Sequence, residues 1–284
     1  MFKWSVLFLI ISLAFSIYYC NNMELEVDDG KLIIESKELE AEKFSSVDSV
    51  KSVDSSISVI KKPAKLHLEM LDVGQGLAFL IQAPECAVMY DVGERNSIDT
   101  MLANRKIERL CSVILSHWHS DHAKDLLVLA KMVRNENLKI DRLLVSHDYR
   151  FKSKLKTSIL AEFEELDIPI YEKHYGDTIG DFAPFTAMVL WPKQNDSSVT
   201  ANGASMVVHL SGGKRSFLFT GDLESKQENI LLDLVPDLEV YALQVGHHGS
   251  RTSSSERFLA QLKPQKAYIS VEAKSKYGHP HIEV

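Results

Sequence analysis

Apolar and polar positions follow two different periods along residues 65–284. Short apolar or alternating runs rich in β-branched residues predict strands, and longer runs with apolar residues three or four positions apart predict helices. Strands are predicted at 66–71, 77–81, 87–90, 112–115, 143–145, 168–171, 186–191, 205–210, 216–220, 240–245 and 267–271, and helices at 98–107, 123–134, 155–166, 223–234 and 254–262. Two strand-rich halves that each close with helices predict an α/β (α+β) fold, a four-layer αββα sandwich with two sheets packed face to face and helices outside.

The first 22 residues have the layout of a targeting segment. Lys3 is followed by an apolar run from Val6 to Ile17, and Cys20 comes shortly afterwards. The run is shorter than the roughly 20 residues of a transmembrane helix and is more typical of a signal-peptide core. We expect a lipoprotein signal lipidated at Cys20, an uncleaved membrane anchor or a cleaved secretory signal. All three place the rest of the chain outside the cytoplasm, and the first two attach it to a membrane.

Residues 23–64 contain many Glu, Lys, Ser and Asp residues and few apolar ones. Because this apolar content is too small to bury a core, we predict a flexible polar linker. A short coiled or strand-forming segment is the alternative. The predicted organisation is therefore a targeting segment (1–22), a linker (23–64) and a globular domain (65–284).

Composition narrows the class of protein. The chain has 284 residues, of which 45% are hydrophobic and 25% charged, and its formal net charge is −7. This is globular composition, and the acidic balance argues against a strongly basic nucleic-acid binder. Three cysteines do not make a disulfide framework. Cys86 and Cys111 could pair in an oxidising compartment, but we expect them to be buried free thiols.

Three imidazoles and one carboxylate lie within six positions, at His117, His119, Asp121 and His122. Imidazole nitrogens and carboxylate oxygens are ligands that zinc, manganese and iron accept. The cluster follows the predicted strand 112–115, and open α/β sheets place their sites at the carboxyl ends of strands. Closely spaced residues on a loop can point at two neighbouring ions, so this run predicts a metal site.

Ligand-type residues also follow three other predicted strands. Asp91 follows the third strand, Asp222 follows strand 216–220, and His247 and His248 follow strand 240–245. Each of these residues alone is more often structural than functional. Together they need a counter-charge, because buried unpaired charge is costly, and metal ions supply one.

These motifs, in this order, resemble the metallo-β-lactamase superfamily. More narrowly, the chain is similar to the C-terminal hydrolase domain of the ComEC competence family and its stand-alone relatives, in segments Leu71–Gly76, Asn202–Ser205, Phe219–Leu223, Val245–Ser250 and Tyr277–Pro280. The resemblance extends from about Leu66 to the end of the chain. It implies a metallo-β-lactamase-like αββα fold and two divalent metal ions, Zn or Mn.

The resemblance also implies roles for individual residues. The first metal ion would be held by His117 and His119, the second by Asp121, His122 and His247, and Asp222 would bridge the two. Asp91 would orient the histidines from outside the ligand set. Asn202 stands where the superfamily has a third histidine for the first ion, so Asn202 or Ser205 would be a weak ligand there.

The function implied is hydrolysis of a phosphodiester by a hydroxide shared between two metal ions, with Asp121 or Asp222 taking a proton. His248 and His279 would act near the substrate oxygens. Further substrate contacts are expected from Ser250, Arg251, Ser253, Lys274 and Lys276, and a basic stretch at 150–156 could contact a nucleic-acid backbone or form a solvated helix start.

The leading hypothesis is an extracytoplasmic DNA nuclease linked to DNA uptake. One alternative is a metallohydrolase of another substrate, such as a phosphocholine ester or a lactam. The other is a non-catalytic, surface-tethered binding protein. Metal analysis separates the binding protein from the two enzymes.

Overall fold

The computed structural model describes residues 23–28, 31–36, 65–95, 97–146, 152–194, 200–212 and 215–284. The predicted targeting segment 1–22 lies outside these ranges, as do residues 37–64 and the first part of the basic stretch 150–156. Within the described ranges, no helix is long and apolar enough to cross a membrane.

The first sheet has nine strands in the order β1-β2-β3-β4-β5-β6-β8-β9, with β7 beside β6. The neighbours from β1 to β5 pair antiparallel, and β5, β6, β8 and β9 pair parallel. The strands are β1 (Met23–Asp28), β2 (Lys31–Ser36), β3 (Lys65–Met70), β4 (Ala78–Gln82), β5 (Ala87–Val92), β6 (Arg109–Leu115), β7 (Lys139–Ile140), β8 (Leu143–Ser146) and β9 (Ile170–Lys173).

The second sheet has six strands in sequential order. The strands are β10 (Thr178–Ile179), β11 (Thr186–Trp191), β12 (Val207–Gly212), β13 (Arg215–Phe219), β14 (Ala242–Gln244) and β15 (Lys266–Tyr268). Neighbours pair antiparallel from β10 to β13, and β13, β14 and β15 pair parallel.

The described residues form six α-helices, five of which lie on the outer faces of the two sheets. They are α1 (Ile98–Asn104), α2 (Ser120–Ala123), α3 (Leu126–Arg134), α4 (Lys154–Glu165), α5 (Ser225–Leu234) and α6 (Glu256–Leu262). Helices α1, α3 and α4 share an apolar core with the first sheet, and α5 and α6 share one with the second. A third core lies between the sheets. The predicted αββα sandwich is therefore confirmed.

Aromatic rings fill the space between the two sheets. Phe79 of β4 lies 5.5 Å from Phe217 and 5.2 Å from Phe219 of β13, and Tyr90 of β5 stacks on Phe219 at 4.7 Å. Leu80, the next residue after Phe79, faces the helices instead. This alternation is the two-residue period of a strand, and it fixes which side chains reach the inner core.

The two sheets are joined at the edge where β5 and β6 end. The Tyr90 hydroxyl donates to the carbonyl of Met206 at 2.7 Å, and the Met206 N–H donates to the carbonyl of Ser116 at 2.9 Å. Met206 directly precedes β12 in the second sheet. These bonds hold the carboxyl ends of strands from both sheets at one shared rim.

Strands β1 and β2 lie inside the segment predicted to be a flexible linker. They continue the first sheet beyond β3, and Leu32 of β2 pairs with Leu68 of β3. The alternative of a strand-forming segment describes these twelve residues better, because the open edge of β3 supplies backbone partners regardless of local composition. The domain boundary at residue 65 stays a prediction.

Two further expectations differ from the structure. The helix predicted at 123–134 is interrupted after Ala123, because the N–H of the buried Asp125 donates to the carbonyl of Gly93 at 3.1 Å. The expectation of free thiols is wrong: Cys86 and Cys111 form a disulfide, with Cα atoms 5.9 Å apart. These cysteines lie at the start of β5 and in the neighbouring β6, which brings them into range.

Candidate metal centre

The predicted metal residues converge on the shared rim. Asp91 lies near the end of β5, the loop 116–122 follows β6, Asp222 follows β13, and the turn Gly246–Gly249 follows β14. Because β5 and β6 are parallel, as are β13 and β14, these four carboxyl ends point the same way within each sheet. The sandwich then places the two pairs of strand ends against each other.

Asp222 lies at the centre of this cluster and is only 2% exposed. Its Oδ1 lies 3.2 Å from Nε2 of His122 and 3.7 Å from Nε2 of His248. Its Oδ2 lies 3.8 Å from Nε2 of His117 and 3.7 Å from Nε2 of His247. One buried carboxylate therefore faces four imidazole nitrogens, two on each oxygen.

Two overlapping groups of three residues could each hold a metal ion, because the ligand atoms within each group lie within 4.8 Å of one another. The groups are His117, His122 and Asp222, and Asp121, His122 and His248. In the second group, Nε2 of His248 lies 3.4 Å from Oδ2 of Asp121. The resemblance grouped His247 with Asp121 and His122, whereas the structure brings His248 to them.

The donor atoms fit a divalent cation. Nε2 of His122, Nε2 of His248 and Oδ1 of Asp222 are buried and have no hydrogen-bond partner. Buried polar atoms are normally paired, and three unpaired atoms that face one another are a costly arrangement without a cation. Nitrogen and carboxylate oxygen are also the donor types that zinc and manganese accept.

His119, Asn202 and Ser205 lie on the His117 side of Asp222. Nδ1 of His119 lies 3.0 Å from Nε2 of His117. The Ser205 hydroxyl accepts from the N–H of Asp222 at 3.0 Å and lies 3.4 Å from Nδ1 of His117. Ser205 thus contacts the ring nitrogen turned away from the cluster, which suits positioning of the imidazole better than metal binding.

Asp91 contacts the cluster through His122, as the resemblance implies. Its Oδ2 lies 2.7 Å from Nδ1 of His122, and its two oxygens accept from the N–H and hydroxyl of Ser116, both at 2.7 Å. Asp91 has a φ of 55°, a left-handed conformation in which Asp is tolerated. Ser116 also lies 3.0 Å from Nδ1 of His117, a contact that the sequence analysis missed.

Gln244 is a second residue that the sequence analysis missed. Its Oε1 accepts from the N–H groups of Thr220 and Gly221 at 2.7 and 2.8 Å, and its Nε2 donates to the carbonyls of Gly221 and Val245 at 3.0 and 2.7 Å. This amide fastens the loop that carries Asp222 to the loop that carries His247. A polar residue at the end of an apolar strand was the available signal.

Burial and the neighbouring charges shift the pKa values of the cluster's side chains in opposite directions. Burial alone would lower the pKa of His122 and His248, but the neighbouring carboxylates, above all Asp222, outweigh it and raise both pKa values. Burial alone would raise the pKa of Asp222 and Asp121, but the imidazoles, above all His122, outweigh it and hold both pKa values below their usual range. At a pH below these raised pKa values His122 and His248 each carry an extra proton, and a cation that binds their Nε2 atoms must displace it.

His279 lies at the entrance of the cluster. Its ring centroid is 5.8 Å from that of His247 and 6.4 Å from that of His248. Tyr277 stacks on His279 at 5.7 Å and is 55% exposed, and Nζ of Lys276 lies 4.9 Å from the Tyr277 ring. Tyr277 entered the sequence analysis only as part of a motif, and it forms an exposed aromatic surface here.

The other predicted substrate contacts divide into exposed and buried residues. Arg251 and Lys274 are exposed, and Arg251 lies 3.9 Å from the carboxylate of Glu283. Ser250 and Ser253 are buried. Because these two hydroxyl groups are buried, the structure does not support their predicted contact with a substrate.

Comparison with known proteins agrees with this geometry. The family model described as "Metallo-beta-lactamase superfamily" matches residues 71–273. ComE operon protein 3 of Bacillus subtilis is 29% identical over 239 residues, which is 77% of this chain and 30% of that protein. Recombination protein 2 of Haemophilus influenzae is 31% identical over 229 residues, 77% of this chain and 26% of that protein. The chain thus spans less than a third of the length of these relatives.

Among solved structures, human tRNase Z, short form, is 11% identical, with a TM-score of 0.46 over 72% of this chain and 93% of that one. The family model covers well over half of the chain. Competence protein ComA of Neisseria gonorrhoeae is 28% identical over 216 residues, 74% of this chain and 27% of that protein, which confirms the similarity to a competence protein. The chain therefore belongs to the metallo-β-lactamase superfamily of hydrolases.

Proposed function

We propose that this protein is a metal-dependent phosphodiesterase that cleaves DNA outside the cytoplasm. One observation carries the proposal: the buried carboxylate of Asp222 faces imidazole nitrogens on both of its oxygens. A carboxylate in that position can bridge two divalent cations, Zn or Mn, and paired cations suit transfer of a phosphoryl group.

The residues that would hold the cations are His117, His119, Asp121, His122, Asp222 and the two imidazoles of the turn Gly246–Gly249. When bound, a pair of divalent cations lowers the pKa of water and draws electron density from a phosphoryl oxygen. The protein contributes a dry pocket for this chemistry, since the side chains of His117, His122 and Asp222 are at most 3% exposed.

Two residues are placed to handle protons. The Asp121 side chain is 25% exposed and its lowered pKa keeps it ionised, so it can accept a hydrogen bond from an attacking water. Burial and the nearby His247 lower the pKa of His279, which keeps its ring neutral near pH 7. A neutral imidazole at the entrance of the site can accept a proton and return it to the leaving oxygen.

Nucleic acid suits the entrance of the site. The exposed cations Arg251, Lys274 and Lys276 can pair with a phosphate backbone, and the exposed ring of Tyr277 can contact a base. The name of the relative Recombination protein 2 also refers to a process that acts on DNA. We therefore favour DNA over a phosphocholine ester or a lactam.

Placement outside the cytoplasm is supported by the disulfide between Cys86 and Cys111, because disulfides persist in oxidising compartments. The apolar run from Val6 to Ile17 agrees with a lipoprotein signal or a membrane anchor, although it lies outside the described residues. The similarity to a relative named Competence protein ComA supports a link to DNA uptake.

The test is a cleavage assay on the full chain, stripped of metal and then supplied with Mn²⁺, Zn²⁺ or EDTA. Linear and circular DNA, single- and double-stranded, show whether cleavage occurs and whether it begins at ends. We expect metal-dependent cleavage that Asp121→Ala abolishes. Asp233→Ala, which removes an exposed carboxylate on α5, is the matched control and should cleave as the parent chain does.

Other outcomes would redirect the assignment. Two bound cations per chain without cleavage of any DNA would point to another substrate, such as a phosphocholine ester or a lactam. A chain that binds no cation would contradict both enzymatic readings and leave the surface-tethered binding protein.

A further inference from the structure

The turn Gly246–Gly249 contains two consecutive residues in a left-handed conformation. His247 has φ 51° and ψ 46°, and His248 has φ 55° and ψ 26°. For residues with a Cβ atom this conformation is strained, and such strain is concentrated at functional sites. Two strained neighbours in sequence therefore need an explanation in what their side chains do.

Each of the two imidazoles contacts, through its Nδ1, a group that lies outside the cluster. Nδ1 of His247 lies 3.1 Å from the hydroxyl of Thr252, and Nδ1 of His248 lies 2.8 Å from the carbonyl of Ser270. In both rings the opposite nitrogen, Nε2, is turned toward Asp222. A hydrogen-bond partner for Nδ1 outside the cluster, with Nε2 turned toward a buried carboxylate, is the arrangement typical of a metal-binding histidine.

The two rings approach different oxygens of Asp222. Nε2 of His247 lies 3.7 Å from Oδ2, the oxygen that His117 approaches at 3.8 Å. Nε2 of His248 lies 3.7 Å from Oδ1, the oxygen that His122 approaches at 3.2 Å. The two turn histidines therefore approach opposite oxygens of Asp222, His247 beside His117 and His248 beside His122.

We infer that His247 is the third histidine of the first cation position and that His248 belongs to the second. The inference rests on the two-cation site of the proposed function. It divides the ligands into His117, His119 and His247 on one side of Asp222, and Asp121, His122 and His248 on the other. The first position then has three imidazoles even though Asn202 stands where the superfamily has a histidine.

Asn202 lies beside this ligand. Its Nδ2 is 3.4 Å from Nε2 of His247, and its Oδ1 is buried without a hydrogen-bond partner. The amide nitrogen thus lies beside the ring nitrogen that would bind the cation, and it must release that nitrogen when a cation binds. The strained turn after β14 thus supplies the third histidine, which the segment before β12 lacks.

The test is cation binding by the full chain and its variants, measured by equilibrium dialysis against Zn²⁺. The parent chain should bind two cations. Single variants His247→Ala and His248→Ala should each keep one tight cation and weaken the other by more than the roughly 10–100-fold typical of losing an outer partner of a ligand. His67→Ala, in β3 and outside the cluster, is the control and should bind two.

Double variants separate this division from the alternative. His117→Ala/His247→Ala removes two ligands of one position, so it should still bind one cation. His247→Ala/His248→Ala damages both positions and should bind none tightly. The reverse pattern would place His247 in the second position and overturn the inference, and so would unchanged binding of two cations by His247→Ala.

A variant that replaces His247 with another metal-binding side chain distinguishes loss of a ligand from misfolding. His247→Cys loaded with Co²⁺ should show a thiolate-to-cobalt charge-transfer band in the near ultraviolet, and His67→Cys should not. Absence of the band in folded, Co²⁺-loaded His247→Cys would overturn the inference. If the parent chain binds no cation, the proposed function fails as well, whereas two cations in both the parent chain and His247→Ala refute the His247 assignment alone.

Discussion

The contact between Asp91 and His122 gives the sharpest prediction for metal affinity. Asp91→Asn keeps the size of the side chain, and Asn tolerates the left-handed backbone at this position (φ 55°). The change nevertheless replaces a carboxylate oxygen with an amide nitrogen, 2.7 Å from Nδ1 of His122. An N–H donor facing Nδ1 requires that Nδ1 become the acceptor, which moves the imidazole proton to Nε2.

Nε2 is the nitrogen that faces Asp222 and would bind the cation. A proton there competes with the cation, and loss of an outer partner typically lowers metal affinity about 10–100-fold, or about 1.4–2.8 kcal/mol. We expect this loss for one of the two cations. The other affinity should change less, because the imidazole that Asp91 contacts directly is that of His122.

The assay is competition between the metal-free protein and a chromophoric chelator for Zn²⁺. Asp72→Asn is the matched control, since it makes the same chemical change in an exposed turn where the carboxylate accepts from the N–H of Gly74. Equal affinities for both cations in Asp91→Asn and the parent chain would refute the idea that Asp91 fixes the proton of His122.

Three further predictions follow from the same structure. Gln244→Ala leaves two N–H groups and two carbonyls without their side-chain partner. A denaturant titration of the metal-free protein should therefore show a free energy of unfolding lowered by about 2–4 kcal/mol. A change below about 0.5 kcal/mol would contradict the idea that Gln244 joins the two loops. The pKa of His122 is raised in the folded protein, so at a pH below that pKa a binding cation must displace a proton from its ring. Cation affinity should therefore rise about tenfold per pH unit for each proton released, and calorimetry in buffers of different ionisation enthalpy should detect those protons. An affinity that does not change with pH would contradict this prediction. Cys86→Ser should destabilise the protein by about 3 kcal/mol relative to the oxidised parent chain, as expected for cysteines 25 residues apart, and equal denaturation midpoints for the two would contradict it.

The layers of the fold and the membership of the site could be predicted from the sequence because both follow local rules. Strand periodicity separates Phe79, which faces the other sheet, from Leu80, which faces the helices. Strand ends locate Asp222 and His247 on one rim. These inferences need only the direction of the chain and the identity of each residue.

Other features depend on contacts that are distant in sequence. Strand β2 forms beside β3 although the segment 23–64 around it is polar overall, and the break after Ala123 depends on the carbonyl of Gly93. The different directions of the His247 and His248 rings depend on two left-handed residues, which no spacing rule reveals. Pairing of Cys86 with Cys111 depends on the register of β5 against β6.

The central claim is that Asp222 holds two cations in a phosphodiesterase site. The most direct test measures hydrolysis of bis(p-nitrophenyl) phosphate by the metal-free full chain as Mn²⁺ or Zn²⁺ is added one equivalent at a time. We predict that the rate rises until about two equivalents are bound and that Asp222→Ala shows no hydrolysis at any equivalent. Hydrolysis that persists in EDTA, or that survives in Asp222→Ala, would contradict the account.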